Sequence, residues 1–309
     1  MFIPIDSSGC AQKIVDVHGD VGVAWLARLP ALLADVAARW SLTVSPPFPE
    51  LSYNYVAPVV GPGGAAWVLK AGVPHRELWD EIDALRLYDG RGIARLIDAD
   101  RERGVLLLER LLPGASLRTV ADDAQVSVVA EVVRALDGVV LPDGHPFRTI
   151  GHLARGFERL RAMFGNTGPF PAERVARAEG LFRELAGETV GFRLIHGDLN
   201  PGNVLRATRA EWLAIDPKGY AGDPLWDVAT FLNDPPRGLI ADDLRQLQAR
   251  RVAQLAEALG VARRDILAWA EAHAVLSAWW SYEDHGAGWE PAVALAALYA
   301  DLHGAGIGS

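Results

Sequence analysis

The sequence predicts an α+β protein in two parts: a small N-terminal lobe with an antiparallel sheet and one key helix, and a larger, mainly helical C-terminal lobe. Three observations carry this. Two apolar runs, LSYNYVAPVV (51–60) and AAWVLK (65–70), flank a Pro-Gly turn in the manner of a β-hairpin. From Ser116 onward the strand pattern gives way to apolar stripes at helical spacing. One polar stretch, LIHGDLNPGNVLRATRAEWLAID (194–216), lies between short apolar strands at 193–195 and 212–215. The expected division is 1–110 and 111–309.

Composition sets the bounds. A chain of 309 residues is large for one core, so two lobes or domains are expected. Half the residues are apolar and 22% are charged, a globular balance. The net charge of −9 argues against nucleic acid or an anionic membrane surface as partner, and it suits a cationic small molecule. The single cysteine, Cys10, excludes an intrachain disulfide and a Cys-based zinc site, and a reducing cytoplasm fits. The opening MFIPIDSSG has no basic leader segment, and no run reaches the ~18 apolar residues of a membrane span. A monomer or homodimer is expected.

The elements follow in order. Residues 21–40 place Val23, Leu26, Ala27, Leu33, Val36, Ala37 and Trp40 on a helical stripe, with Pro30 as a kink or break. Pro46, Pro47 and Pro49 interrupt the chain before the hairpin. Lys70 ends the second strand behind the apolar approach 66–69. Pro74 opens a helix over 75–88, where Glu77 and Glu81 stand four apart on one face. Gly90 and Gly92 end it, and 93–97 and 104–109 are two further strands around a charged turn at 98–103. Helices are expected at 116–138, with Val126, Val129, Val133 and Leu136 inward, and at 150–164 and 173–185. Two long helices follow at 241–259 and 264–284. The second carries Ile266, Trp269, His273, Leu276, Trp280 and Glu283 near one face.

The chemistry is concentrated in the polar stretch. His196, Asp198 and Asn203 form the pattern H-x-D-x-x-x-x-N, and Asp216 closes the apolar run after them. In kinase chemistry the Asp of such a loop orients the attacking hydroxyl and accepts its proton, while the Asn holds magnesium. A second Asp, arriving from the next strand, clamps the same ion through hard oxygen atoms. A polar turn would account for Asp198 and Asn203 as turn formers. It gives no reason for four metal- or proton-handling side chains in this order.

HGDLNPGN…AIDPKGYAGDPLWDVA resembles the catalytic segment of the aminoglycoside phosphotransferases, small kinases sharing the protein-kinase fold. It is most similar to the branch holding streptomycin 6-phosphotransferases and hydroxyurea-type phosphotransferases. The resemblance extends from about residue 58 to residue 282, and only this segment is motif-grade. It implies an ATP-dependent O-phosphotransferase of the antibiotic-resistance kind, acting on a small-molecule hydroxyl, with an aminoglycoside such as streptomycin as acceptor. Hydroxyurea or another small metabolite is the alternative acceptor, and a non-catalytic nucleotide-binding protein is the third reading. ATP and Mg²⁺ are the implied co-substrate and metal.

The resemblance also implies roles. Asp198 is the catalytic base, and Asn203 and Asp216 are the Mg²⁺ ligands. Lys70 holds nucleotide phosphates and is fixed by Glu81, preferred over Glu77 because EIDALR resembles the family's E-x-x-A-L-R run. Ser52 and nearby amides cover the phosphates, although no G-x-G-x-x-G occurs there. Backbone groups of Glu109 and Leu111 read the adenine edge. His196 braces the loop, Asp227 holds it through its amides, and Asp223 takes a turn or helix-start role, with a direct substrate contact as the alternative. Glu283, Asp284 and Trp280 wall the acceptor pocket, in a segment (234–309) where ten Asp and Glu against six Arg favour a cation. His285 has no ligand-spaced partner and is read as surface or pocket lining, not as a metal ligand. The chain departs from the family once, with Asn200 where His is common, a position that lines the loop.

Overall fold

The computed structural model describes residues 9–187 and 192–305. The stretch 1–8, read above for a leader segment, lies outside them. The chain divides into two compact units. One comprises the residues up to Gly114 together with Ala207–Arg209; the other comprises Ala115–Arg206 and the residues from Ala210 on.

The first unit contains α1 (Cys10–Arg39), β1 (Thr43–Val44), β2 (Tyr55–Val60), β3 (Ala66–Ala71), α2 (Arg76–Tyr88), β4 (Leu96–Asp100) and β5 (Val105–Glu109). Its sheet is antiparallel throughout, in the order β1-β2-β3-β5-β4. Side chains alternate faces along a strand. Ala57, Leu69 and Leu107, cross-strand partners on β2, β3 and β5, therefore share one face. They enter an apolar core with Trp25, Leu29, Leu33 and Val36 of α1. Lys70, one residue further along, shares the opposite face with its partners Val56 and Leu106.

Helix α1 starts at Cys10, well before the expected 21. Gly19, at φ 55, breaks the helical geometry, so two helical segments run on across a kink there. Pro30 sits inside the helix, which continues to Arg39. By length and composition α1 could cross a membrane, with a mean hydropathy of 1.5 over its most apolar window, a property the sequence reading did not assign. Its buried residues, from Cys10 and Ile14 to Val36, pack on the sheet. Strand β4 lies about three residues later than expected, because Ile93 and Ala94 are buried ahead of it and the ladder shifts register between Leu96 and Asp98.

The second unit opens with a 3-10 turn, Leu117–Thr119, and α3 (Asp122–Asp137). A second 3-10 turn, Ile150–Ala154, leads into α4 (Arg155–Phe164), followed by α5 (Ala172–Gly187). Four short strands come next: β6 (Arg193–Ile195), β7 (Val204–Arg206), β8 (Trp212–Ala214) and β9 (Tyr220–Gly222). The unit closes with α6 (Leu225–Leu232), α7 (Ala241–Leu259), α8 (Arg263–His285) and α9 (Glu290–Ala305). The strands bracketing the polar stretch do not pair with each other: β6 pairs with β9 and β7 with β8. Strands β7 and β9 and helix α9 were not foreseen. Helix α8 is buried around most of its circumference, as befits a core helix, with α4, α5, α6, α7 and α9 packed around it. Phe182, Trp226 and Trp269 meet edge-to-face there, with ring centroids 5.7–5.9 Å apart.

Candidate active site

Strand β6 ends at Ile195, and the chain leaves it through a tight turn. Gly197 has φ +85, and a Cβ on it would lie 2.7 Å from the Tyr220 ring, so glycine is required there. Asn200 caps the 3-10 turn Pro201–Asn203, its Oδ1 accepting the Gly202 N–H at 2.9 Å. The β7–β8 hairpin returns the chain, and the Ile215 N–H donates to the Asn203 carbonyl at 2.9 Å. Asp216 follows at φ 58, directly before Pro217. A left-handed residue ahead of proline is strained by about 1–3 kcal/mol, and such strain clusters at functional sites.

His196 is fully buried. Its Nε2 donates to the Ile215 carbonyl at 2.7 Å and its Nδ1 accepts the Asp198 N–H at 3.2 Å, which assigns the neutral Nε2–H tautomer. Burial pulls its pKa down to about 4. Buried Asp227, on α6, receives the His196 N–H at 2.8 Å and the Gly197 N–H at 2.7 Å, one on each carboxylate oxygen. Burial pushes this carboxyl up to about 7, against the pull of the two amides. Asp223 accepts the Leu225 N–H at 2.9 Å, the helix-start role expected, and also the Trp269 indole N–H at 3.0 Å.

Asp198 is half-buried between two amides. Asn200 Nδ2 donates to its Oδ1 at 3.1 Å. Asn203 Nδ2 donates to its Oδ2 at 3.3 Å and to its backbone carbonyl at 2.9 Å. Burial raises its pKa, opposed first by the charge of Lys218 and then by the Asn200 hydrogen bond. The Asn203 nitrogen being committed to Asp198, its amide oxygen and the Asp216 carboxylate are the hard donors suited to a divalent cation. Among the described residues no group of three or more His, Cys, Asp or Glu could hold a metal. Water and phosphate oxygens would complete a Mg²⁺ shell, as they commonly do.

In the first unit, Lys70 Nζ lies 2.8 and 2.9 Å from the two carboxylate oxygens of Glu81. Both residues are buried, whereas Glu77 is exposed. Burying two charges demands close pairing, and a buried pair is weak evidence of a stabilising role. Ser52 is exposed on the bend before β2. The Glu109 carboxylate grips Arg209 at 3.0 and 2.9 Å and accepts the Arg95 N–H at 3.0 Å. Burial works against its charge, but Arg209 and the Arg95 amide hold the carboxyl below its ordinary value. The Glu109 backbone N–H donates to the Arg95 carbonyl at 2.8 Å, and Leu111 is buried.

A loop of this construction occurs in kinases, and the family model for aminoglycoside/hydroxyurea antibiotic resistance kinases matches residues 39–285, most of the chain. The chain belongs to that family. It is a phosphotransferase with the protein-kinase-like fold. A streptomycin 6-kinase of Streptomyces glaucescens is 35% identical over 91% of this chain and 92% of its own length. A hydroxyurea phosphotransferase of Kitasatospora aureofaciens is 35% identical over 86% of this chain and 77% of its own. Among solved structures, aminoglycoside phosphotransferase APH(4)-Ia in a ternary complex with ADP and hygromycin B superposes with a TM-score of 0.60. It is 16% identical, over 89% of this chain and 99% of that one.

The kinase distributes the expected acceptor residues unevenly. Arg159 engages both carboxylate oxygens of Glu283, at 2.5 and 2.8 Å, which compensates that charge. Asp284 and His285 are exposed. Trp280 is half-buried, 6.1 Å from the His273 ring and 6.5 Å from Trp226. Trp226 in turn donates its indole N–H to the Gly197 carbonyl at 3.4 Å. Sequence reasoning missed Lys218, whose N–H donates to the His196 carbonyl at 2.7 Å, and Arg118, which reaches Asn200. The DPKG run after Asp216 was a usable signal for Lys218; Arg118 had none.

Proposed function

We infer that the kinase transfers the γ-phosphoryl group of ATP to a hydroxyl of an aminoglycoside, most specifically the streptomycin 6-hydroxyl. The observation that carries this is the Asp198 carboxylate, held by Asn200 and Asn203 on a loop that Asp227 grips from beneath. The near full-length likeness to a streptomycin 6-kinase supports streptomycin as the acceptor. The ADP named with APH(4)-Ia supports the nucleotide.

In this reading Asp198 hydrogen-bonds the acceptor O–H. The hydroxyl oxygen forms the new bond to the γ-phosphorus, the bond to the β,γ-bridging oxygen breaks, and the proton passes to Asp198 late. Lys70, fixed by Glu81, holds the nucleotide's α- and β-phosphates, with Ser52 and the amides of 51–55 against the phosphates. Backbone groups of Glu109 and Leu111 read the adenine. Asn203 and Asp216 hold Mg²⁺, which neutralises phosphate charge when bound. Neutral His196 and Asp227 keep the loop in shape and take no proton. Nucleotide binding thus falls to the unit with Lys70, and acceptor binding to the unit with Trp280 and Asp284.

Hydroxyurea is the second acceptor, favoured by an equal identity to a hydroxyurea phosphotransferase. Coupled ADP release with Mg·ATP against streptomycin, other aminoglycosides and hydroxyurea tests both. Turnover confined to streptomycin, with phosphate on its 6-hydroxyl by NMR, is the expected result. Turnover of hydroxyurea alone would replace the acceptor, and ATP binding without any turnover would remove both.

A further inference from the structure

An asparagine amide can be seated in two ways, and at Asn200 the surroundings allow one. Its outward end receives two donors, the Gly202 N–H at 2.9 Å and the Arg118 guanidinium at 3.2 Å. That end must be the oxygen. The NH₂ group is thereby turned onto Asp198 Oδ1 at 3.1 Å.

Arg118 is itself held in place. Ser116 Oγ accepts the Arg118 N–H at 3.2 Å and donates to the Pro201 carbonyl at 3.0 Å, joining this turn to the loop. The same guanidinium nitrogen that reaches Asn200 lies 2.5 Å from Asp234 Oδ2. Gly202 makes room: a Cβ on it would lie 2.9 Å from Asn200 Oδ1 and 3.1 Å from Arg118 Nε. Asp234, Arg118, Asn200 and Asp198 thus form a continuous hydrogen-bonded line.

The geometry points to Arg118 and Asn200 as positioning residues: Arg118 locks the Asn200 amide so that its NH₂ fixes one oxygen of Asp198 while Asn203 fixes the other. The carboxylate is then confined to one rotamer before the acceptor arrives, so its alignment requires no reorganisation during the reaction. In this assignment both residues act through Asp198. The inference rests on Asp198 being the base that receives the acceptor proton.

The test is steady-state kinetics with Mg·ATP and streptomycin or hydroxyurea, on Arg118→Met, Arg118→Lys, Asn200→Ala and the Arg118→Met/Asn200→Ala double variant. Arg118→Met and Asn200→Ala should each lower kcat about tenfold, the weight of one hydrogen bond to a charged group, with KM for ATP within about twofold. The double variant should be no slower than Asn200→Ala alone, and Arg118→Lys should recover part of the loss. A kcat for Arg118→Met within twofold of wild type, or losses that multiply in the double variant, would overturn the inference. Asp198→Asn separates this from the underlying reading. Retained turnover there defeats both; a dead Asp198→Asn beside an indifferent Arg118→Met defeats the positioning role alone. Should Arg118→Met not fold, Arg118→Lys and Asn200→Ala decide. The contact can also be read without an acceptor. The Asn200 side-chain NH₂ signals, assigned by their loss in Asn200→Ala, should move toward solvent-exposed values in Arg118→Met or Arg118→Lys. Unchanged signals would refute the contact.

Discussion

The Asp227 carboxylate accepts the backbone N–H of His196 at 2.8 Å, across 31 residues of sequence. Its second oxygen takes the N–H of Gly197. Both donors lie at the start of the loop that carries Asp198, so α6 dictates how that loop leaves β6. Asp227→Asn keeps the shape but sets an NH₂ against one of the two amides. It should lower stability by ~2–3 kcal/mol and turnover by orders of magnitude. Urea unfolding with parallel kinetics checks this, and an unchanged unfolding midpoint would sink it.

His273 gives the fold an acid-side weakness. Burial pulls its pKa down to about 3, and its Nε2–H reaches the Thr230 hydroxyl at 3.3 Å. Unfolded, the imidazole titrates near ~6.5. As pH falls through that value the unfolded chain binds a proton that the folded chain refuses, so this group's contribution falls with pH. Relative to His273→Phe, wild type should lose ~1.4 kcal/mol per pH unit between about pH 6 and 4. Unfolding at several pH values reads the gap, and a gap independent of pH would refute it.

Asp198 and Asp216 should fail in different ways. Asp198→Ala is expected to lower the rate by orders of magnitude while ATP binding survives. Asp216→Ala should remove the Mg²⁺-dependent part of ATP binding. Calorimetry with and without Mg²⁺ separates them, and identical binding in wild type and Asp216→Ala would take the metal away from Asp216.

Glu81 and Glu77 differ by one helical turn and should differ widely in effect. Glu81→Ala removes the carboxylate that grips the buried Lys70 ammonium at 2.8 and 2.9 Å, a loss of ~3–5 kcal/mol. Glu77→Ala changes an exposed side chain and should stay within ~0.5 kcal/mol. Thermal melts of both variants, with KM for ATP, are the check.

Glu283 is paired rather than offered. With Arg159 across both its oxygens, Glu283→Ala should leave KM for a cationic acceptor within about twofold and change stability by less than ~1 kcal/mol. A tenfold rise in that KM would return Glu283 to the acceptor site.

Much of this was legible because it is local. The hairpin carrying Lys70, the face of α2 carrying Glu81 and the spacing from His196 to Asn203 are set within a few residues. The limits were physical too. Strands β7 and β9 each follow directly on a proline- and glycine-bearing stretch, and no apolar run of their own marked them off from it. The start of α1 was hidden by the Gly19 kink, which shifts its stripe out of phase. Helix α9 is rich in alanine and weakly sided, so no stripe announced it.

By itself the sequence determined the chemistry: an aspartate, an asparagine and a second aspartate in an order that suits phosphoryl transfer, because that order lives on one short loop and the hairpin after it. Only the tertiary structure decided what holds them. Asp227 reaches back to His196, Arg118 reaches forward to Asn200, Glu81 rather than Glu77 meets Lys70, and Arg159 claims Glu283. A hydrogen bond or ion pair forms between groups a few ångströms apart in space, whatever separates them along the chain, so such partners appear only once the backbone is folded.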